Sequence, residues 1–170
     1  MRWPSQKRAL LLTLGVLYAA LLAISLVAER REHPSSSTKP IAKNDITLTV
    51  PAMGPGGPII SSDPVIIHAL RWGNPNDPRP AVILIHGSPG AADNFSTLGP
   101  LLAADGRRIV AIDMPGFGQS SNNVPSYDAR AHAHYMLLAA SRLGLERPHI
   151  LGWSMGGVVS LHYADLVPNT

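Results

Sequence analysis

The sequence predicts an α/β fold whose sheet is mostly parallel after its first strands and which follows a transmembrane helix. Three observations carry this prediction. The runs "AVILIHG" (81–87), "RRIVAID" (107–113) and "HILGW" (149–153) are short, apolar and rich in β-branched residues, as expected of strands buried on both faces of a parallel sheet. Longer stretches with helical spacing separate them. Near the N-terminus an apolar block, Ala9 to Ala28, contains no charged residue at all.

That block comes first along the chain, after the basic tail "MRWPSQKR" (1–8). Twenty residues at ~1.5 Å each cover a hydrocarbon core of ~30 Å. No polar stripe breaks the run, so a buried core helix does not explain it. A cleaved signal peptide is the rival reading, but the run is long for one and Leu26 is a poor small residue ahead of a cut at Ala28. An uncleaved single-pass anchor over 9–28, in contact with the lipid bilayer, is the reading taken. Arg2, Lys7 and Arg8 lie before it and Arg30, Arg31, Lys39 and Lys43 after it. The charge count therefore leaves orientation open; a cytoplasmic N-terminus and an extracytoplasmic domain are the expectation.

The rest of the composition narrows the class. With 45% hydrophobic and 15% charged residues in 170, the chain can form a core. Much of its formal charge of +3 flanks the apolar block, so it forms no stripe for nucleic acid. The absence of cysteine excludes disulfides, thiolate metal sites and a cysteine nucleophile. "ERREHPSSSTKPIAKN" (29–44) reads as a solvated linker.

The domain is expected from Asp45 onward. "DITLTV" (45–50) alternates as a strand does, "PAMGPGGP" breaks the pattern, and "VIIHALRWG" (65–73) reads as a second strand. "NPNDPRP" is a turn before the buried strand at 81–87. "FSTLGPLLAADG" (95–106) has helical spacing and a terminal glycine, the strand at 107–113 follows, and "YDARAHAHYMLLAASRLGL" (127–145) is a helix before the strand at 149–153. Such alternation places the site at the carboxyl ends of the strands.

Three glycine-rich stretches fall at those ends: "HGSPG" (86–90), "DMPGFGQS" (113–120) and "GWSMGG" (152–157). A lone G-x-S-x-G is weak. Its context here is a buried strand before it and a helix after it. Nucleophilic chemistry needs a serine on a sharp, strained turn, and Gly152 and Gly156 are the small neighbours that permit one. A helix beginning just after Ser154 also aims backbone N–H groups at the site, which suits a developing oxyanion.

Together these stretches resemble the α/β-hydrolase family, in its order, from about Asp45 to the C-terminus. The resemblance implies that Ser154 is the nucleophile and that the backbone N–H groups of Ser88 and Met155 form the oxyanion hole. It further implies that His86, Gly87, Asp113, Gly116 and Gly118 shape supporting loops, with Asp113 not the catalytic acid. Relatives that open epoxides or remove halide use aspartate at the nucleophile position, so Ser154 suggests acyl transfer to water. Esterase- or lipase-like hydrolysis of a small-molecule ester, amide or related acyl compound is the leading class, without cofactor or metal. "HGSPG" is also similar to the stretch found in proline aminopeptidases and carbon–carbon bond hydrolases and does not choose between them.

In that family the acid and the histidine follow the nucleophile's helix. Here His162 and Asp165 are the only such residues after Ser154, and eight residues along one helix set His162 ~12 Å away. Neither suits the role. About 126 residues follow Asn44, against ~200–250 for a complete domain of this type, so the sequence reads as a partial α/β-hydrolase domain (45–170), incomplete at its C-terminus and lacking the triad acid and histidine. The alternative is a non-catalytic, membrane-tethered binding or interaction protein on half a hydrolase fold. His68, His132, His134 and His149 are expected on a strand, a helix face and a strand start. His132 and His134, two apart on a helix, point to different faces.

Overall fold

The computed structural model describes residues 44–167, and Ala20 upstream of them. The basic tail, the apolar run apart from Ala20, and the linker as far as Lys43 lie outside the described residues, as do residues 168–170. Among the described residues no helix is long and apolar enough to cross a membrane. The sheet and its helices belong to the second of the two units into which the chain divides, Ile41–Thr170.

Five strands form one mixed, open sheet. They are β1 (Asp45–Met53), β2 (Ile59–Trp72), β3 (Val82–Ile85), β4 (Ile109–Ile112) and β5 (His149–Gly152), in the order β1-β2-β4-β3-β5. β1 and β2 form an antiparallel hairpin, β2 pairs antiparallel with β4, and β4, β3 and β5 are parallel. The expected parallel portion is thus the last three strands. Between them lie a 3-10 turn (Ala92–Phe95), α1 (Leu98–Leu102), α2 (Ala129–Arg142) and α3 (Met155–Leu166).

Strand alternation builds two cores. Ile67, Ile83, Ile85, Val110 and Ile112 face α2 and α3 and pack on Ala131, Tyr135, Met136, Ala139, Val159 and Tyr163. The intervening Leu70, Leu84, Ile109 and Ala111 pack on Ala92 and Phe95 on the other face. β3 and β4 need apolar residues at every position because both faces are covered.

Two elements differ from expectation. The hairpin runs on through Pro51 to Met53 and resumes at Ile59, because Pro51 pairs with Pro64. Two residues without N–H groups face each other there, so neither removes a donor the other needs, and β1 is an edge strand, where proline is tolerated. Register shifts follow at Ala52 and Met53. The stretch 95–106 is not one helix: a 3-10 turn ends at its first residue, Phe95, and only the five residues of α1 within it are helical. Gly99 lies so close to Trp72 that a Cβ would sit 2.4 Å from the indole.

Asp128 ties the start of α2 to the hairpin tip. As N-cap it accepts from the N–H of Ala131 (2.8 Å), and its other oxygen accepts from the N–H of Gly56 (3.0 Å) and the hydroxyl of Ser126 (2.6 Å). Burial opposes the charge, yet these hydrogen bonds hold its carboxyl down at about 2. The phenol of Tyr135 accepts from the N–H of Met53 at 2.8 Å, closing the hairpin over the core.

Candidate active site

Ser154 stands between the end of β5 and the first residue of α3 with φ 54° and ψ −123°. Only Arg147 and Ser154 among the described non-glycine residues take positive φ, a conformation that L residues hold only when neighbours enforce it. The neighbours are glycines for steric reasons. A Cβ on Gly156 would lie 2.3 Å from the carbonyl oxygen of Ile85, and one on Gly152 would lie 2.2 Å from that of Gly156. The strand, the turn and the helix are therefore in backbone contact, and Ser154 is held out at the apex, exposed to solvent.

The "HGSPG" loop lies against this apex, because a Cβ on Gly87 would meet the Cβ of Ser154 at 3.0 Å. The N–H groups of Ser88 and Met155 donate to no other described residue. The end of β3 thus brings the "HGSPG" loop beside Ser154 at the end of β5.

His86 is fully buried and fully engaged. Its Nδ1–H donates to the carbonyl of Gly87 (2.8 Å), and its Nε2 accepts from the N–H of Met114 (3.1 Å). This pattern requires the neutral ring, and burial pushes its pKa below the usual histidine range. It links the loop after β3 to the loop after β4, with its ring edge-on to Phe117 at 5.2 Å.

Asp113, 2% exposed, anchors the second glycine loop. It accepts from the N–H of Ala92 (2.5 Å), the N–H of Gln119 (2.8 Å) and Nδ1–H of His68 (2.8 Å). Burial disfavours its charge, but the His68 hydrogen bond and the two backbone donors outweigh this and lower its pKa. Burial likewise works against a charged His68, and Asp113, with help from Asp45 and Asp93, raises its pKa on balance. Gly118, at φ +55°, lies where a Cβ would collide with this carboxylate, and Gly116, at φ +91°, lies against Tyr127.

Two residues escaped the sequence reading. His68 is the ion-pair partner of Asp113, 45 residues away in sequence. The signal is the sheet register, since the N–H of Asp113 donates to the carbonyl of His68. His132 is 1% exposed with no hydrogen-bond partner for either ring nitrogen, and burial lowers its pKa to about 4. His134 points elsewhere, against Gly57. His162 and Asp165 sit along α3, where Asp165 pairs with Arg130 at 3.3 Å. Among the described residues no histidine or carboxylate hydrogen-bonds Ser154, and none form a cluster able to hold a metal ion.

The sequence model of the alpha/beta hydrolase fold matches residues 80–170, more than half the chain and all three glycine-rich loops. The chain belongs to this family. As a member of it, the chain is 31% identical over 153 residues to the dihydrolipoyllysine-residue acetyltransferase component of an acetoin cleaving system from Pseudomonas putida, covering 88% of this chain and 40% of that protein. It is 34% identical over 89 residues to a proline iminopeptidase of Lactobacillus helveticus, covering 50% of this chain and 30% of that one. Among solved structures it is similar to a membrane phospholipase A described as a bacterial virulence factor, with TM-score 0.60 and 30% identity over 96% of this chain and 46% of that one. The chain thus spans less than half the length of each of these relatives.

Proposed function

We propose that this chain carries the nucleophile of a membrane-tethered serine hydrolase that cleaves carboxylic esters through an acyl-enzyme at Ser154. The observation that carries the reading is the elbow itself: a serine at φ 54°, exposed, with Gly87 pressed against it. In this reading the Ser154 Oγ attacks the ester carbonyl, and the N–H groups of Ser88 and Met155 receive the oxyanion. One such donor contributes about 3 kcal/mol to the transition state. The acyl–oxygen bond to the alcohol then breaks, and the serine proton leaves with that alcohol by way of a base. Water repeats the attack on the acyl-serine, releases the acid and restores the hydroxyl.

The buried groups around the elbow position it and do not react. His86 is engaged at both nitrogens and Asp113 at both oxygens, so the reading places the base and the acid outside the described residues. No metal or cofactor enters the chemistry. The tether belongs to the same reading: the apolar run 9–28 anchors the protein, with the domain on the extracytoplasmic side. An anchor favours esters of lipids over freely soluble ones. The likeness to a membrane phospholipase A over nearly the whole chain supports this choice.

A fluorophosphonate probe tests the reading. Membranes from cells producing the protein become labelled at its mass, and Ser154→Ala abolishes the label. Labelling that survives the substitution removes Ser154 from the mechanism. A second reading, a tethered binding module without catalysis, is favoured by the lack of any base hydrogen-bonded to Ser154 among the described residues; it gains if wild-type membranes never label.

A further inference from the structure

At the amino ends of the parallel strands, the opposite end of the sheet from Ser154, lies a small cavity. It has about 80 Å³ of space, and Ile46, Arg71, Trp72, Arg108, Leu143 and Leu145 are among its walls. The register puts both arginines on one face. Arg71 is the cross-strand partner of Val110, and Arg108 precedes Val110 by two residues, so alternation aims both side chains to the same side. Like charges on neighbouring strands repel. Among the described residues neither arginine takes part in an ion pair, while Asp77 and Asp105 at the same end are committed to Arg79. Glu146, one residue beyond Leu145, forms no ion pair with them either.

Arg108 is held rather than waving in solvent. Its Nη1 donates to the carbonyl of Pro75 at 3.3 Å, and its Nε is buried without a hydrogen-bond partner. Two arginines sharing a small cavity with Ile46, Leu143 and Leu145 suit a tetrahedral oxyanion on an apolar stem, because arginine donors match phosphate geometry. We infer that this cavity is an anion site for a phosphate group, free or carried on a lipid, separate from the Ser154 elbow. Along β4 it lies ~16 Å from Asp113, five residues away at ~3.3 Å each, so neither site needs the other.

Calorimetry on the full chain in neutral detergent micelles tests this, with inorganic phosphate and short-chain phosphatidic acid below its micellar concentration as probes. The expected result is saturable binding of one phosphate group per chain, weakened about tenfold or more in the Arg71→Gln/Arg108→Gln variant. Arg142→Gln, an exposed arginine outside the cavity, leaves binding unchanged. Phosphatidic acid binding more tightly than inorganic phosphate identifies a lipid as the source, and equal affinity identifies free phosphate. Without phosphate the double variant melts at or above the wild-type temperature, since the repulsion is gone, and phosphate raises the midpoint of the wild type alone. The inference is overturned if neither probe saturates, if the double variant binds as well as the wild type, or if Arg142→Gln weakens binding equally.

Discussion

The two ends of this one sheet are built by different rules. At the carboxyl ends of β3, β4 and β5, glycines let backbone touch backbone, and buried His86, Asp113 and His68 have their polar atoms matched. At the amino ends, arginines and aspartates meet at the surface, as in the Arg79 contacts with Asp77 and Asp105. A loop held by buried hydrogen bonds in low dielectric cannot shift without leaving one unmade. A surface ion pair tolerates rearrangement. Rigidity is therefore concentrated where Ser154 must be held in an unfavourable conformation.

The strongest test of this contrast is steric. Gly156→Val drives side-chain atoms into the backbone of Ile85 and His86 and is expected to cost about 4 kcal/mol or more, so that little folded protein accumulates. Gly56→Ala is also at positive φ, +73°, but in open space; it costs about 1 kcal/mol. Comparable losses in denaturant melts would erase the contrast.

The next test is electrostatic. Asp113→Asn disrupts the charged bond from His68 and weakens those from Ala92 and Gln119, and is expected to cost about 3 kcal/mol. Asp105→Asn at the exposed end leaves the midpoint unchanged. The His68–Asp113 contribution also has a pH window. His68 is raised above 6.5, so its share is full below 6.5 and is lost as pH rises through the raised value. Asp113 is lowered below 3.8, so its share is full above 3.8 and is lost as pH falls through the lowered value. The difference between wild type and Asp113→Asn should peak between these limits.

A smaller effect comes from within the well-matched end, where His132 is the exception. Its pKa falls from 6.5 unfolded to about 4 folded, so the unfolded chain binds the extra proton and stability drops as pH falls below 6.5. The loss amounts to about 2 kcal/mol by pH 5. His132→Phe, packed against Phe117 in the same place, removes that slope and spares two unmatched ring nitrogens. Melting curves at pH 7 and pH 5 check it; an unchanged slope would mean another group is responsible.

How much of this was legible in the sequence depends on the range of each cause. The β3 and β4 strands and the elbow at Ser154 are local patterns, an apolar run and a pair of glycines, and were readable as such. The hairpin through Pro51 was not, because its tolerance rests on the edge position of β1 and on pairing with Pro64, both set by the sheet. The stretch 95–106 misled because its periodicity is helical, whereas Gly99 against Trp72 belongs to tertiary packing. His68 beside Asp113 depends on β2 pairing with β4, which residue spacing alone does not specify. Arg71 and Arg108 share a face for the same reason. Sequence order carried the loops, and register carried the partners.

In the proposed mechanism the elbow makes Ser154, and no other serine, the reactive group. Mass spectrometry of the fluorophosphonate-treated protein tests this by mapping the adduct to a residue. A single adduct on Ser154 is expected, with none on Ser88 or Ser160. An adduct on another serine, or an unmodified Ser154 under conditions that label a control serine hydrolase, would refute the mechanism.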